Sequence, residues 1–275
     1  MGVPPFVLGD REALESAART ATQSVRLGDG ELMCRVLSKY LMFVDPHDVG
    51  VTPRLCLDGF WESWITTAIA RVVRPGFFCV DIGANHGYYT LLFADATGPE
   101  GRVLAIEPNP ALAKLVTLSV EVNGFDRRTR VVQKAVTDGT RRTVRLNVPT
   151  RRAACATICL PGSATDEVIA VEATSVDDLT ATWPRVDRGK IDAEGAEDQI
   201  WRGMTRTLSR NPAVVVVLEF VASRYGDPAA FLRDIRAAGF ELRVVEHDSR
   251  IEAVSETTLL TSGGVEGWTL FLHRE

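Results

Sequence analysis

Asp81-Ile82-Gly83-Ala84-Asn85-His86-Gly87-Tyr88-Tyr89-Thr90 is a stretch whose residue types can do chemistry together. Gly83 permits a sharp turn and close approach of a ligand to the backbone, and Gly87 lets a following helix pack tightly. The N-terminus of that helix offers free N–H groups to an anion such as a carboxylate. Asp81 can take up an ammonium. Glu107, twenty positions beyond Gly87, closes the next apolar run, where a carboxylate can accept from both hydroxyls of a ribose. Dinucleotide loops read G-x-G-x-x-G and lay backbone N–H groups on a pyrophosphate. Here the spacing is Gly-x-x-x-Gly with an acid before it, which repels a pyrophosphate and welcomes an amino acid. A ligand with an α-amino group, an α-carboxylate and a ribose fits this loop, and S-adenosylmethionine has all three.

Methyl transfer from a sulfonium is an in-line displacement, so the protein must align acceptor oxygen, methyl and sulfur, keep water out, and place a base near the methyl. Asp192, at a strand end, is the first candidate base; Glu194, Glu219 and His247 follow. Each also has a structural reading. Asp192 could cap the next helix, Glu194 and Glu197 could favour that helix's positive end, Glu219 could pair with an arginine, and His247 could lie on the surface. Asp192 and Glu194 could hold Mg²⁺, but no third acid is clearly positioned beside them, so no metal is predicted. Trp61, Trp64 and Tyr225 could wall an acceptor or pack in the core.

These residues need a frame that sets them at strand ends. From Phe77 onward, apolar runs alternate with helical patterns: strands at Phe77–Ile82, Arg102–Glu107, Arg130–Val136, Lys190–Asp192, Ala213–Phe220, Glu241–Val245 and Thr269–His273; helices at Tyr88–Ala96, about Pro110–Val122, Ala196–Ser209 and Pro228–Ala238. That order predicts a doubly wound α/β fold with a mostly parallel, seven-stranded sheet and its ligand at the carboxyl ends of the strands. Thr143–Val148 and Val168–Thr174 interrupt the rhythm as extra, mostly exposed strands. Ahead of the sheet, residues 10–24 read as an amphipathic helix, 31–58 as short strands, and Trp61–Val73 as a helix. The expected division is an N-terminal extension, 1–74, packed on a ligand-binding domain, 75–275. The segments 140–175 and 246–268 are expected to shape the acceptor pocket.

Composition excludes several classes. The net charge of −5 over 275 residues lacks the basic footprint of a nucleic-acid binder. No apolar run is long enough to cross a bilayer, and the start has no basic n-region or apolar h-region, so a cytoplasmic protein with no membrane partner is expected. Five scattered cysteines suit reduced thiols, and no second Cys or His pair turns Cys155 and Cys159 into a zinc site.

The blocks DIGANHGYYT, IEPNP, VNG, KIDAEGAE and VLEF, in that order and spacing, resemble the FkbM family of methyltransferases over about residues 55–245. LCLDGFWESWI, with Gly59 and Glu62, resembles the G-x-x-E element that precedes the core in this family. The resemblance implies a class I, Rossmann-like methyltransferase fold. It also implies transfer from S-adenosylmethionine to a hydroxyl of a small molecule such as a sugar or natural product, with S-adenosylhomocysteine as product. It puts Asp81, Gly83, Ala84, Asn85, Gly87, Tyr89 and Thr90 around the methionine part, Glu107 at the ribose, Pro108 and Asn109 on the adenine side, Lys134 and Ala135 flanking the adenine, and Asp192 with Glu194 facing the acceptor. Ala193 stands where the family often has Val. Competing readings are a nicotinamide-dependent oxidoreductase, disfavoured by the missing G-x-G-x-x-G, and a non-catalytic nucleotide-binding protein on the same architecture.

Overall fold

The computed structural model describes residues 3–149, 156–158, 167–261 and 267–274. Helix α1 (Arg11–Ala21) starts at Asp10, whose side chain accepts from the Ala13 amide at 2.7 Å. Strands β1 (Ser24–Arg26), β2 (Leu32–Val36) and β3 (Tyr40–Val44) form an antiparallel sheet. The expected strand character stops there. Residues Thr52–Asp58 form helix α2, because Pro53 sits in the first turn and Gly59 closes the end with a left-handed φ. Helix α3 (Ser63–Val72) follows.

The alternating part runs β4 (Phe78–Ile82), α4 (Tyr88–Ala96), β5 (Arg102–Ile106), α5 (Pro110–Val122), β6 (Thr129–Val132). Asn109 caps α5 by accepting from the Ala111 amide, with Pro110 in the first turn. The third strand was expected to run to Val136, but it breaks after Val132. Strand β7 (Ala135–Val136) instead joins a second sheet with β8 (Thr143–Asn147), β9 (Thr157–Ile158) and β10 (Val168–Thr174), in the order β7-β10-β8-β9. Those strands are less exposed than their sequence suggested: Ala135, Val144, Leu146 and Val171 bury one face in a small core of their own. Cys155 and Cys159, weighed as a half-site for zinc, lie outside the described residues.

The chain then returns through α6 (Val176–Leu179), β11 (Arg188–Ile191), α7 (Glu197–Arg202), α8 (Thr205–Arg210), β12 (Val215–Phe220), α9 (Pro228–Ala237), β13 (Arg243–Val245), β14 (Ile251–Ala253), α10 (Glu256–Thr261) and β15 (Trp268–Leu272). The helix expected over 196–209 is two helices. Gly203 lies so close to the Thr137 backbone that a Cβ on it would come 2.0 Å from the Thr137 oxygen, and its own carbonyl accepts from the Asp177 amide.

The main sheet reads β14-β13-β15-β12-β11-β4-β5-β6. It holds the seven expected strands and, at one edge, the short eighth strand β14. Strands β12, β11, β4, β5 and β6 are mutually parallel, and β15 runs antiparallel between β12 and β13. Neighbouring residues of each central strand feed opposite faces. Cys79, Val103, Val217 and Phe271 join Leu14, Met42, Leu91 and Val116 on one side; Val80, Leu104, Val216 and Leu270 join Ile200, Leu208, Phe231 and Ile235 on the other. The N-terminal elements therefore share a core with α4 and α5. The carboxyl ends of β4 and β11, side by side at the centre, carry the loops that matter. Among the described residues no helix is long and apolar enough to cross a membrane.

Candidate active site

The loop after β4 is built on backbone geometry. Gly83 has φ +74°, and a Cβ on it would lie 1.8 Å from the Asp192 carbonyl oxygen. The amides of Gly83 and Ala84 both donate to the Ile106 carbonyl at 3.0 Å, which binds the loop to the end of β5. Asn85 takes a left-handed φ of 54° and donates its amide to Glu107 Oε2 at 2.8 Å. The Asn109 amide donates to Glu107 Oε1 at 2.9 Å. Each carboxylate oxygen of Glu107 thus has one N–H and keeps acceptor capacity. Burial pushes Glu107 up to about 7, against the pull of the two amides.

Asp81 lies beneath this loop. It is 1 % exposed and accepts from Thr90 Oγ1 at 2.6 Å. Burial raises its pKa, opposed by Lys190 and Thr90. Lys190 is itself buried on β11. Burial alone would strip its proton, but Asp192, Asp81 and Glu62 hold it charged. Its Nζ donates to Asp192 Oδ2 at 2.9 Å and lies 4.7 Å from the centre of the Tyr89 ring.

The turn after β11 is equally constrained. Glu194 has φ 53°. Glu197, fully buried, accepts from the amides of Ala193 at 2.7 Å and Gly195 at 3.0 Å, and from Tyr225 Oη at 2.9 Å. Arg224 reaches in from the loop after β12 and pairs with both Glu194, at 2.8 Å, and Glu219. Burial, with Asp192 adding to it, still pushes Glu194 up to about 7 and Glu219 up to about 8. The pair weighed for a metal, Asp192 and Glu194, is not the one that clusters: Asp192, Glu197 and Glu219 offer oxygens within 4.8 Å of one another. That spacing could hold a divalent cation, although Glu197 already serves three donors and Glu219 faces Arg224.

Two clefts open at these strand ends. The first, about 240 Å³, runs from Glu107 and Pro108 past Gly83 and Asn85 to Asp192 and Glu194, and is closed by Trp61, Val51, Leu146 and Ile158. The second, about 670 Å³, lies over β11, β12 and β15 between Trp64, Glu246, His247 and Trp268. Glu62, Asp192 and Glu219 line both.

Residues 81–242 match the family description "Methyltransferase FkbM domain". The chain belongs to the FkbM methyltransferase family. Short stretches also resemble protein-L-isoaspartate O-methyltransferases: 35% identity over 68 residues with that of Methanopyrus kandleri, 25% of this chain and 29% of that protein. The one from Triticum aestivum is 43% identical over 49 residues, 18% and 21% of the two chains. This chain thus spans under a third of the length of these curated relatives. Among solved structures, the methyltransferase FkbM of Methylobacillus flagellatus aligns at TM-score 0.45 and 16% identity, covering 84% of this chain and 56% of that one. A precorrin-6y C5,15-methyltransferase of Geobacter metallireducens aligns at 0.45 and 13%, covering 78% and 88%.

Of the residues singled out from sequence in this FkbM chain, Gly83, Asn85, Glu107, Pro108, Lys134, Ala135, Asp192, Glu194 and Glu219 line the first cleft. Asp81, Ala84, Gly87, Tyr89, Thr90 and Asn109 do not line it; most hold the loop from behind. Lys134 pairs with Glu172 of β10 at 2.7 Å. His247 sits on the rim of the second cleft against Trp64, ring centres 4.8 Å apart. Segment 140–175, expected at the acceptor pocket, walls the first cleft through Leu146 and Ile158, whereas the tail after Glu246 does line the second. Sequence reasoning missed Lys190, Glu197 and Arg224 as parts of the site. It gave Glu62 no role, although Gly59-x-x-Glu62 was the available signal.

Proposed function

We propose that this chain transfers the methyl group of S-adenosylmethionine to a hydroxyl of a small molecule, a sugar or natural product being the class expected. The observation that carries the reading is the junction: a cleft of about 240 Å³ lined by the Gly83 loop and Glu107 and a roomier, tryptophan-walled cleft share Glu62, Asp192 and Glu219. Methyl transfer needs such an arrangement, because acceptor oxygen, carbon and sulfur must lie on one line.

The donor set of the first cleft fits the cofactor. Glu107 presents two oxygens, each with one N–H already in place, to a ribose diol. The close approach of Gly83 to the Asp192 carbonyl leaves no room for a side chain and locks the cofactor loop to the turn that carries Asp192. Lys134 and Ala135 flank the adenine end, with Leu146 and Ile158 opposite. Asp81 works through Thr90 and Lys190, fixing the start of α4 and the end of β11. When bound, the cofactor supplies an electrophilic methyl. The protein's own residues hold the acceptor: Trp64 and Trp268 wall it, and Asp192, kept oriented by Lys190, stands beside its hydroxyl. Glu194 and Glu219, anchored by Arg224, fix the turn around the transfer point, and His247 borders the acceptor's entry.

Calorimetry with S-adenosylhomocysteine and, in parallel, NADH tests the cofactor. Micromolar binding of the first alone is expected; binding of NADH instead revives the oxidoreductase. Transfer of labelled methyl to a panel of sugars, phenols and other hydroxyl compounds, with amines and carboxylates as controls, tests the acceptor atom. Products methylated at nitrogen or carboxylate alone would overturn the hydroxyl assignment.

A further inference from the structure

Three carboxylates stand where the two clefts meet, and two of them are tied to cations: Asp192 to Lys190 at 2.9 Å and Glu219 to Arg224. Among the described residues Glu62 has no such direct ion pair. Its hydrogen-bond partners among the described residues are neutral, Tyr89 Oη donating to Oε2 at 2.9 Å and the Trp61 side chain. Its backbone is strained at φ 40°, immediately before α3, and the α3 amide of Thr66 donates to its carbonyl. A non-glycine residue held in the left-handed region costs about 1–3 kcal/mol and persists where the surroundings impose it. Here they do: Thr66 Oγ1 donates to the Trp61 carbonyl and Tyr89 holds the carboxylate. The strain aims a carboxylate at the junction.

We infer that Glu62 is the group that takes the proton from the acceptor hydroxyl. This rests on the methyltransferase reading above. As the acceptor oxygen's lone pair forms the new O–C bond, its proton passes to the Glu62 carboxylate, and the electron pair of the breaking C–S bond stays on sulfur, which becomes a thioether. Asp192 and Glu219, held by their cations, orient and balance charge. A base acts best when it titrates near working pH, and burial pushes Glu62 up to about 7 against the pull of Lys190, Tyr89 and Trp61, with Asp192 raising it further. The groups around it are Lys190 within β11, Asp192 and Glu219 at the ends of β11 and β12, Tyr88 and Tyr89 on α4, and Glu246 with His247 across the second cleft.

The test needs no acceptor. S-adenosylmethionine carries a sulfonium charge that S-adenosylhomocysteine lacks, so a titrating carboxylate beside the sulfur makes their affinity ratio depend on pH. By calorimetry, the ratio is expected to rise several-fold in favour of the sulfonium between about pH 6 and pH 8. Glu62→Gln should abolish most of that rise while keeping S-adenosylhomocysteine affinity at about pH 6 within roughly threefold, which also shows that the variant folds. Tyr89→Phe, which removes a stabilising donor to the carboxylate, should keep the rise and move its midpoint to higher pH. Asp192→Asn should lower the ratio yet leave the rise in place. A pH-independent ratio in the wild type, or a rise that survives in Glu62→Gln, overturns the inference. If the wild type binds neither ligand, the methyltransferase reading fails and the inference with it. With an acceptor from the screen, Glu62→Gln should lose about 10²–10⁴ in kcat and the acidic limb of the pH profile, with KM for the methyl donor little changed at about pH 6 and raised several-fold at about pH 8.

Discussion

Gly83 and Asp192 meet backbone to backbone: a Cβ on Gly83 would sit 1.8 Å from the Asp192 oxygen and 2.8 Å from its carbonyl carbon. The loop after β4 and the turn after β11 are thus one packed unit. Gly83→Ala cannot be absorbed by a rotamer change, since both partners are main chain and the φ of +74° disfavours any side chain. The expected outcome is a drop in melting temperature together with at least a tenfold loss of S-adenosylhomocysteine affinity, read by thermal unfolding and calorimetry. Unchanged affinity would show that the loop does not hold the cofactor.

Glu107, Glu62 and Glu194 are each pushed up to about 7, and Glu219 up to about 8, from an ordinary value of 4.5. Between these limits the folded protein holds more protons than the unfolded chain, so stability is fully present below about pH 4.5 and is lost as pH rises through about 7 to 8. For these groups, the ligand-free protein should melt lower at about pH 8 than at about pH 6, opposite to a protein whose acids are salt-bridged. Glu107→Gln should flatten part of that slope and at the same time weaken S-adenosylhomocysteine binding, because an amide cannot accept at both atoms. Melting curves across this range, for wild type and variant, decide it.

Tyr225 Oη donates to Glu197 Oε2, and Glu197 in turn accepts from the amides of Ala193 and Gly195. Tyr225→Phe leaves a buried carboxylate short of one donor. A destabilisation of about 1–3 kcal/mol is expected in urea unfolding, with a smaller loss of cofactor affinity because the turn carrying Asp192 loosens. No change in unfolding midpoint would show that the hydrogen bond contributes nothing.

Arg224 is the cation shared by Glu194 and Glu219. In Arg224→Gln both acids lose their partner and are expected to titrate at still higher pH. The variant should resemble the wild type at about pH 6, where the acids take up protons, and fall behind it in melting temperature by about pH 8, where they must ionise uncompensated. A deficit of equal size at both ends would assign Arg224 a packing role alone.

The order of strands and helices was legible because central strands buried on both faces read as largely apolar runs, as Phe78–Ile82 and Val215–Phe220 do apart from Asp81 and Glu219. The loop residues Gly83, Asn85 and Glu107 were legible because spacing along the chain and adjacency in the sheet coincide there. Where they part, sequence reasoning fell short. Lys190 sits mid-strand, where periodicity expects an apolar residue; only the fold shows that Asp81, Asp192 and Glu62 surround it. Glu197 read as a helix-end charge because nothing local says that Tyr225 lies above it. Glu62 comes from before the alternating pattern begins, and a contact across tens of residues of chain has no period to find. The break at Gly203 was hidden for the same reason: the Thr137 backbone that requires it is distant in sequence.

The family signature spans residues 81–242, yet the architecture does not respect those limits. Strand β15, at residues 268–272, is wedged between β12 and β13, and β4 begins at Phe78. The first cleft borrows Gly50, Val51, Trp61 and Glu62 from upstream. A fragment trimmed to the signature would keep the recognisable letters while losing β13, β14 and β15 from one side of its sheet, the first residues of β4, and a wall of its first cleft.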